Sequence, residues 1–111
     1  MIKVDYLLQN EIIRYQEQLR HFRISLLKLP AKMPSEDKVR NLCKEAAWKI
    51  AATETLVVKI FKSKKLPYRE LSKQFFFNIE ILKQHSQYIL ALFLLKHGDY
   101  QCLHTHLTCL D

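Results

Sequence analysis

Residues Leu66–Tyr100, LPYRELSKQFFFNIEILKQHSQYILALFLLKHGDY, decide the fold of this chain. Leu66-Pro67 can open a helix, because proline at the first helical position gives up only an N–H that lacks an intrahelical partner. Asn78 can open a second helix, its side chain accepting from an N–H of the following turn. The pattern then stays helical as far as Gly98, a residue suited to the left-handed conformation that ends many helices. Two helices joined by a tight turn, the second of them long, outline a helix-turn-helix. Leu71, Phe75, Phe77, Leu82 and His85 stand where such a motif packs side chains between its helices. Ser72 stands where the helices approach and a small residue is needed. An ordinary helical hairpin would give most of the same spacings.

One position departs from the motif. The residue after Phe75 is commonly glycine, since the turn often needs a positive φ. Here it is Phe76, for which positive φ is costly. Either the turn is built differently or Phe76 is strained. An aromatic at that corner is expected to stand exposed, as interface anchors do.

The bulk numbers agree with a helical reading. One glycine and three prolines in 111 residues are too few for the many tight turns of an all-β protein. With 49% apolar residues the chain can bury a real core, so disorder is excluded. The length suits a single domain, residues 1–111, with helical support over about 5–63 and the helix-turn-helix plus a C-terminal helix over about 66–109. The fold class is all-α. Eighteen bases against eleven acids leave a net charge of +7, which favours nucleic acid, an anionic membrane or an acidic protein face as partner.

In the supporting region, Leu8, Ile12, Tyr15, Leu19 and Phe22 recur at steps of four and three, predicting a helix from about Asp5 to Phe22 with one core face. Ser25–Leu29 can form one helical turn that Pro30 stops. Ser35 reads as the cap of a helix whose apolar face carries Val39, Leu42, Cys43, Ala46, Ala47 and Ile50, with Trp48 half-buried beside it. Thr53 reads as the cap of a short helix through Leu56, Val57, Ile60 and Phe61. The cluster Lys62-Ser63-Lys64-Lys65 is a solvated loop by itself; directly before a helix-turn-helix it can position the domain on phosphates.

The long helix changes character along its length. Asn78, Ile79, Glu80, Lys83, Gln84 and Gln87 face outward from its first half, whereas Tyr88 to Leu95 is apolar almost all round. A helix of that profile is buried at one end and presents the other, which suits reading a DNA groove. Lys64, Lys65, Arg69, Lys73, Asn78, Ile79, Glu80, Lys83, Gln84 and Gln87 are the candidate DNA contacts; Phe76, Ile79 and Lys83 are candidates for a protein partner.

Other chemistries find little support. One glycine cannot build a Gly-rich phosphate loop, and no catalytic triad or carboxylate pair stands out, so no enzyme and no cofactor are expected. His21, His85 and His97 have structural explanations. On a helix from Asp99 onward, Cys102, His106 and Cys109 share a face while His104 points away. Three such ligands could hold zinc. Small buried apolar roles explain the cysteines as well, so no metal is expected. Asp5, Gln9, Asn10 and Glu11 interrupt any signal-peptide core, and Tyr88–Leu95 falls far short of the ~20 residues that cross a bilayer. Cys43, Cys102 and Cys109 are an odd number, so reduced thiols and a cytoplasmic location are expected.

These residues resemble a family. Lys65-Leu66-Pro67 with Glu70-Leu71, then Leu82, Tyr88-Ile89, Ala91-Leu92 and Gly98-Asp99-Tyr100, are similar to the C-terminal domain of SigI-type alternative sigma factors, within the sigma-70 family of bacteria. Glu11-Ile12, Tyr15, Leu19, Phe22, Ile24-Ser25, Pro34 and Arg40 fit the same pattern, so the resemblance runs from about Gln9 to Leu107. It implies recognition of the −35 promoter element. It also implies inhibition by the cytoplasmic N-terminal domain of a membrane-spanning RsgI-type anti-sigma factor. The family's N-terminal domain, which binds RNA polymerase and melts the −10 element, has no counterpart in this stretch.

One departure lies where the DNA would be. The family usually opens its recognition helix with a serine and several Arg and Lys residues. Here the run Asn78–Gln87 holds Lys83 as its one clear base, with Asn78 in the serine's place. Bidentate arginine to guanine, the commonest specific contact, is missing. Gln84 or Gln87 can pair with adenine, Ile79 can touch a thymine methyl, and Glu80 can accept from cytosine or repel phosphate. The alternative is a module that binds the anti-sigma factor with little or no specific DNA binding, using the apolar corner of Phe76, Phe77, Ile79 and Ile81.

Overall fold

The computed structural model describes residues 2–98 and Tyr100, with side chains from Tyr6 onward. Every element among them is helical: α1 (Ile2–His21), α2 (Leu29–Lys32), α3 (Asp37–Ala51), α4 (Glu54–Ser63), α5 (Tyr68–Phe75), α6 (Ile79–Gln84) and α7 (Ser86–His97). The all-α reading holds. The organising element is α7, on which Tyr88, Ile89, Leu90, Ala91, Phe93, Leu94 and Leu95 are all buried. A helix apolar all round must be enclosed, and α7 packs most extensively along α3 and also meets α1, α2 and α6. On α3 the facing residues include Cys43, Ala46 and Ala47, all fully buried. Side chains this small let two helix axes approach closely. Burial pushes the Cys43 thiol up to about 11, so it is a packing residue rather than a nucleophile.

The stripe on α1 behaves as its spacing predicts: Leu8 and Ile12 are half-buried, and Tyr15, Leu19 and Phe22 are buried. Tyr15 also makes a polar link that joins the two ends of the fold. Its hydroxyl donates to the Ala91 carbonyl oxygen at 2.7 Å, and its ring meets Tyr100 edge-on with centroids 5.4 Å apart. The Tyr100 hydroxyl in turn donates to Gln18 at 2.6 Å. Burial, reinforced by the neighbouring Tyr100 and Tyr88, holds the Tyr15 phenol well above its usual range.

Local chemistry departs from the sequence expectation at several helix ends. Helix α1 begins by Ile2 rather than Asp5 and ends at His21, where Arg23 takes a left-handed conformation (φ 59°). Ile24 N–H reaches the Leu19 carbonyl and Arg23 N–H the Arg20 carbonyl, each at 2.9 Å. This is the Schellman closure, with arginine in the position that glycine usually fills. Pro30 does not stop a helical turn; it lies in the first turn of α2, where its missing N–H costs nothing. At α3 the N-cap is Glu36 rather than Ser35, without a side-chain cap bond; Arg40 pairs with Asp37 in the first turn. Thr53 does sit at the N-cap of α4, but its hydroxyl donates backwards to the Lys49 carbonyl at 2.8 Å and so caps nothing ahead of it. Trp48 is half-buried as expected, with the Lys96 ammonium 5.4 Å above its ring.

Three corrections concern the stretch 66–100. Pro67 is the N-cap of α5 rather than its first helical residue, which is Tyr68. The helix from Asn78 to Gly98 is kinked at His85 (φ −113°, ψ 26°), which divides it into α6 and α7. Gly98 ends α7 in an extended conformation (φ −76°, ψ 162°), not a left-handed one. Its need for glycine is spatial: a Cβ there would lie 2.2 Å from Cε2 of the Tyr100 ring.

Replacing Tyr15 with phenylalanine keeps the packing and removes the bond to Ala91. Urea unfolding should show a loss of about 1 kcal/mol. The phenol is raised in the folded state, so its contribution is complete below the unfolded value of about 10 and declines as pH rises beyond it. Above pH 10, wild-type stability should therefore fall more steeply than that of Tyr15→Phe; parallel alkaline profiles would show that Tyr15 is not the responsible group.

Candidate nucleic-acid interface

The corner formed by α5, the turn at 76–78 and α6 is anchored from below. Leu66 and Pro67 are buried ahead of α5, Leu71 and Leu82 are fully buried under α5 and α6, and Phe77 is buried in the turn between them. The Phe75 and Phe77 rings lie 6.4 Å apart, with the Lys49 ammonium 5.1 Å from the Phe75 centroid. Ser72 is half-buried, as a small residue at a close helix approach should be. Lys59 on α4 pairs with Glu70 on α5 and fixes one helix against the other. The hydrogen bond from Lys59 is the main cause that holds the Glu70 carboxyl below the usual range.

Phe76 resolves the question its position raised. It adopts φ 62° and ψ 29°, the left-handed conformation that glycine commonly supplies. Its N–H donates to the Ser72 carbonyl at 3.0 Å and so closes α5. With its backbone fixed there, the side chain points to solvent and is 89% exposed. Two residues on, Asn78 caps α6 as expected, its Oδ1 accepting from Glu80 N–H at 2.9 Å and from Ile81 N–H at 3.4 Å.

Ile79, Glu80, Lys83 and Gln84 are all exposed on α6, together with the capping Asn78; Gln87 is exposed just past the kink on α7. Arg69 and Lys73 are exposed on α5, and Lys64 and Lys65 in the α4–α5 connection. Two of these bases are already engaged. The Lys64 ammonium lies 4.8 Å from the Phe22 centroid and 5.7 Å from that of Phe61, while its backbone closes α4 in a left-handed conformation. Lys83 lies 5.8 Å over the Tyr68 ring. Reaching a phosphate requires each to give up a cation–π contact worth about 0.5–1 kcal/mol at an exposed site. Tyr68 and Lys49 were not singled out from the sequence. Their partners lie far along the chain, and no spacing rule connects them.

Among the described residues no group of three or more His, Cys, Asp or Glu side chains could hold a metal ion. Cys102, His104, His106 and Cys109 lie outside the described residues, as does the part of the expected C-terminal helix that carries them. No described helix is long and apolar enough to cross a membrane.

No protein-family model matches the chain. Three characterised proteins are similar to it. It is 30% identical over 98 residues to RNA polymerase sigma factor SigI2 of Acetivibrio thermocellus, covering 88% of this chain and 37% of that protein. It is 25% identical over 92 residues to sigma factor SigI of Bacillus anthracis (83% of this chain, 38% of that protein). It is 24% identical over 99 residues to SigI of Bacillus subtilis (89% and 39%). The chain thus resembles SigI-type sigma factors over most of its length, consistent with their C-terminal domain, and spans somewhat over a third of each relative.

Glycine accepts the left-handed conformation without the ~1–2 kcal/mol that an L side chain pays there, although its freer unfolded chain offsets part of the gain. Phe76→Gly should therefore raise stability by about 0.5–1 kcal/mol in thermal melts. On the acid side, the depressed Glu70 carboxyl contributes stability above the ordinary carboxylate range, and this is lost as pH falls through its lowered folded value. The acid limb of a stability–pH profile should be shallower in Glu70→Gln; an unchanged limb would mean the pair with Lys59 is energetically silent.

Proposed function

We propose that this SigI-like chain is the promoter-reading domain of an alternative sigma factor, a non-enzymatic DNA binder that recognises the −35 element. The observation that carries the reading is α6: a helix capped by Asn78, anchored through Leu82, with its remaining polar side chains turned to solvent behind a helix-turn-helix corner. Helix-turn-helix proteins insert this second helix in the major groove and contact base edges from its N-terminal residues. Asn78, Ile79, Glu80, Lys83, Gln84 and Gln87 then face the groove, and Lys64, Lys65, Arg69 and Lys73 take phosphates. The net charge of +7 supports the electrostatic part of binding.

In this reading residues 1–111 act as one domain in the cytoplasm, and RNA polymerase is engaged through other parts of the sigma factor. An RsgI-type anti-sigma factor inhibits by covering the same corner, with Phe76, Ile79 and Lys83 in its footprint. The exposure of Phe76 favours a second reading, in which that protein contact is the main function and specific DNA binding is slight. Cross-titration separates the two. Tight binding to an anti-sigma N-terminal domain without preference among duplexes selects the second.

Selection from a randomised duplex pool should enrich one sequence class, and its binding should weaken steeply with salt. Lys64→Glu combined with Lys83→Glu should lower affinity about tenfold or more at low salt and flatten the log–log salt slope by about 2, roughly one counterion for each lost phosphate contact. A pool that enriches nothing over random duplex rules out specific reading by this domain.

A further inference from the structure

The reading corner presents apolar surface where a guanine-reading helix carries guanidinium groups. Phe76 is 89% exposed and Ile79, three residues later at the start of α6, is 37% exposed. No arginine lies on α6. The exposed polar groups on that helix are Glu80, Lys83 and Gln84, and Glu80 is its single acid. Around the corner stand the exposed cations Arg69, Lys73 and Lys83, while the one acid on α5, Glu70, is paired with Lys59. The charge complements a polyanion, and the centre is apolar.

Phe76 is also held against its backbone preference, at φ 62°. A turn needing only closure is served better by glycine. The exposed Phe76 side chain is what a ligand occupying the corner would meet.

In a DNA major groove the one apolar feature is the C5-methyl group of thymine, which Phe and other apolar side chains contact. We infer that Phe76 and Ile79 form an apolar reading edge for thymine methyl groups, which makes the preferred duplex A·T-containing at the positions facing the turn, with Gln84 suited to a neighbouring adenine. The inference rests on the DNA-reading function proposed above and adds to it a chemical class of target and a contact residue, Phe76, that lies outside the recognition helix. It also accounts for the arginine-poor helix: a site read through methyl groups and amides needs no guanidinium.

The test removes the methyl and nothing else. A duplex enriched by the full chain from a randomised pool is resynthesised with each thymine replaced singly by deoxyuridine, which keeps the base-pairing edge. Affinity should fall about fourfold at one or two positions, the effect of leaving one methyl unburied. Phe76→Gly, which does not threaten folding, should abolish the dependence at one such position, and Ile79→Ala at the other.

If the enriched duplex binds equally well with every thymine replaced, the apolar edge does not read methyl groups, although the domain still reads DNA. If the pool enriches nothing, the DNA reading fails and this inference with it. Loss of affinity for an anti-sigma domain in Phe76→Gly, with deoxyuridine dependence intact, would assign Phe76 to a protein contact instead.

Discussion

A helix apolar on every side cannot lie on a surface, and the arrangement of the other helices follows from the need to enclose α7. Its lateral neighbours must offer apolar faces, and α3 does so with residues small enough to bring the two axes together. The long stripe of α1 covers another side. Tyr15 performs both tasks, filling the space with its ring and satisfying its hydroxyl on a carbonyl of α7. A buried hydroxyl without that partner would cost about 1–3 kcal/mol and offset much of what the ring's burial contributes. Tyr100 then returns the chain from the end of α7 to α1, and Gly98 is what lets the ring come so close.

The enclosure of α7 leaves α6 with a different role. It is held by one fully buried residue, Leu82, and by its cap, so most of its side chains have no packing duty. The kink at His85 marks the change. On one side of it residue identity is dictated by the core; on the other it is open to whatever binds. The ion pair between Lys59 and Glu70 and the cluster of Phe75, Phe77 and Lys49 hold the platform against α3 and α4 without entering the exposed face of α6.

Hydrophobic periodicity carried the legible part of this structure. It placed the α1 stripe, the α3 face, the burial of Tyr88–Leu95 and the outward set on α6, since each is a repeat within one helix. It could not see the hydrogen bond from Tyr15 to Ala91, which joins residues 76 positions apart, nor the cation–π partners of Lys49 and Lys83. Helix ends were read least well, for a local reason. Thr53 and Ser35 have the chemistry of caps, but a hydroxyl can bond backwards as well as forwards, and the chain can begin one residue later. Phe76 is the useful exception: its mismatch with the motif was visible in the sequence, and the structure shows the conformation that makes it a mismatch. The residues of the corner were legible as an exposed set, because exposure follows from helical phase; their ligand is encoded in partners that the chain does not contain.

The break at His85 has an evolutionary consequence. A recognition element joined rigidly to the central helix would transmit each change in its sequence to the core, and most such changes would be removed for instability. Separated from it by a kink and fastened mainly through Leu82, α6 can accumulate substitutions that alter its ligand while the remaining helices fold as before. The same separation lets the exposed face of α6 change while the architecture is kept, so a scaffold of this kind can diverge in what it binds sooner than in fold.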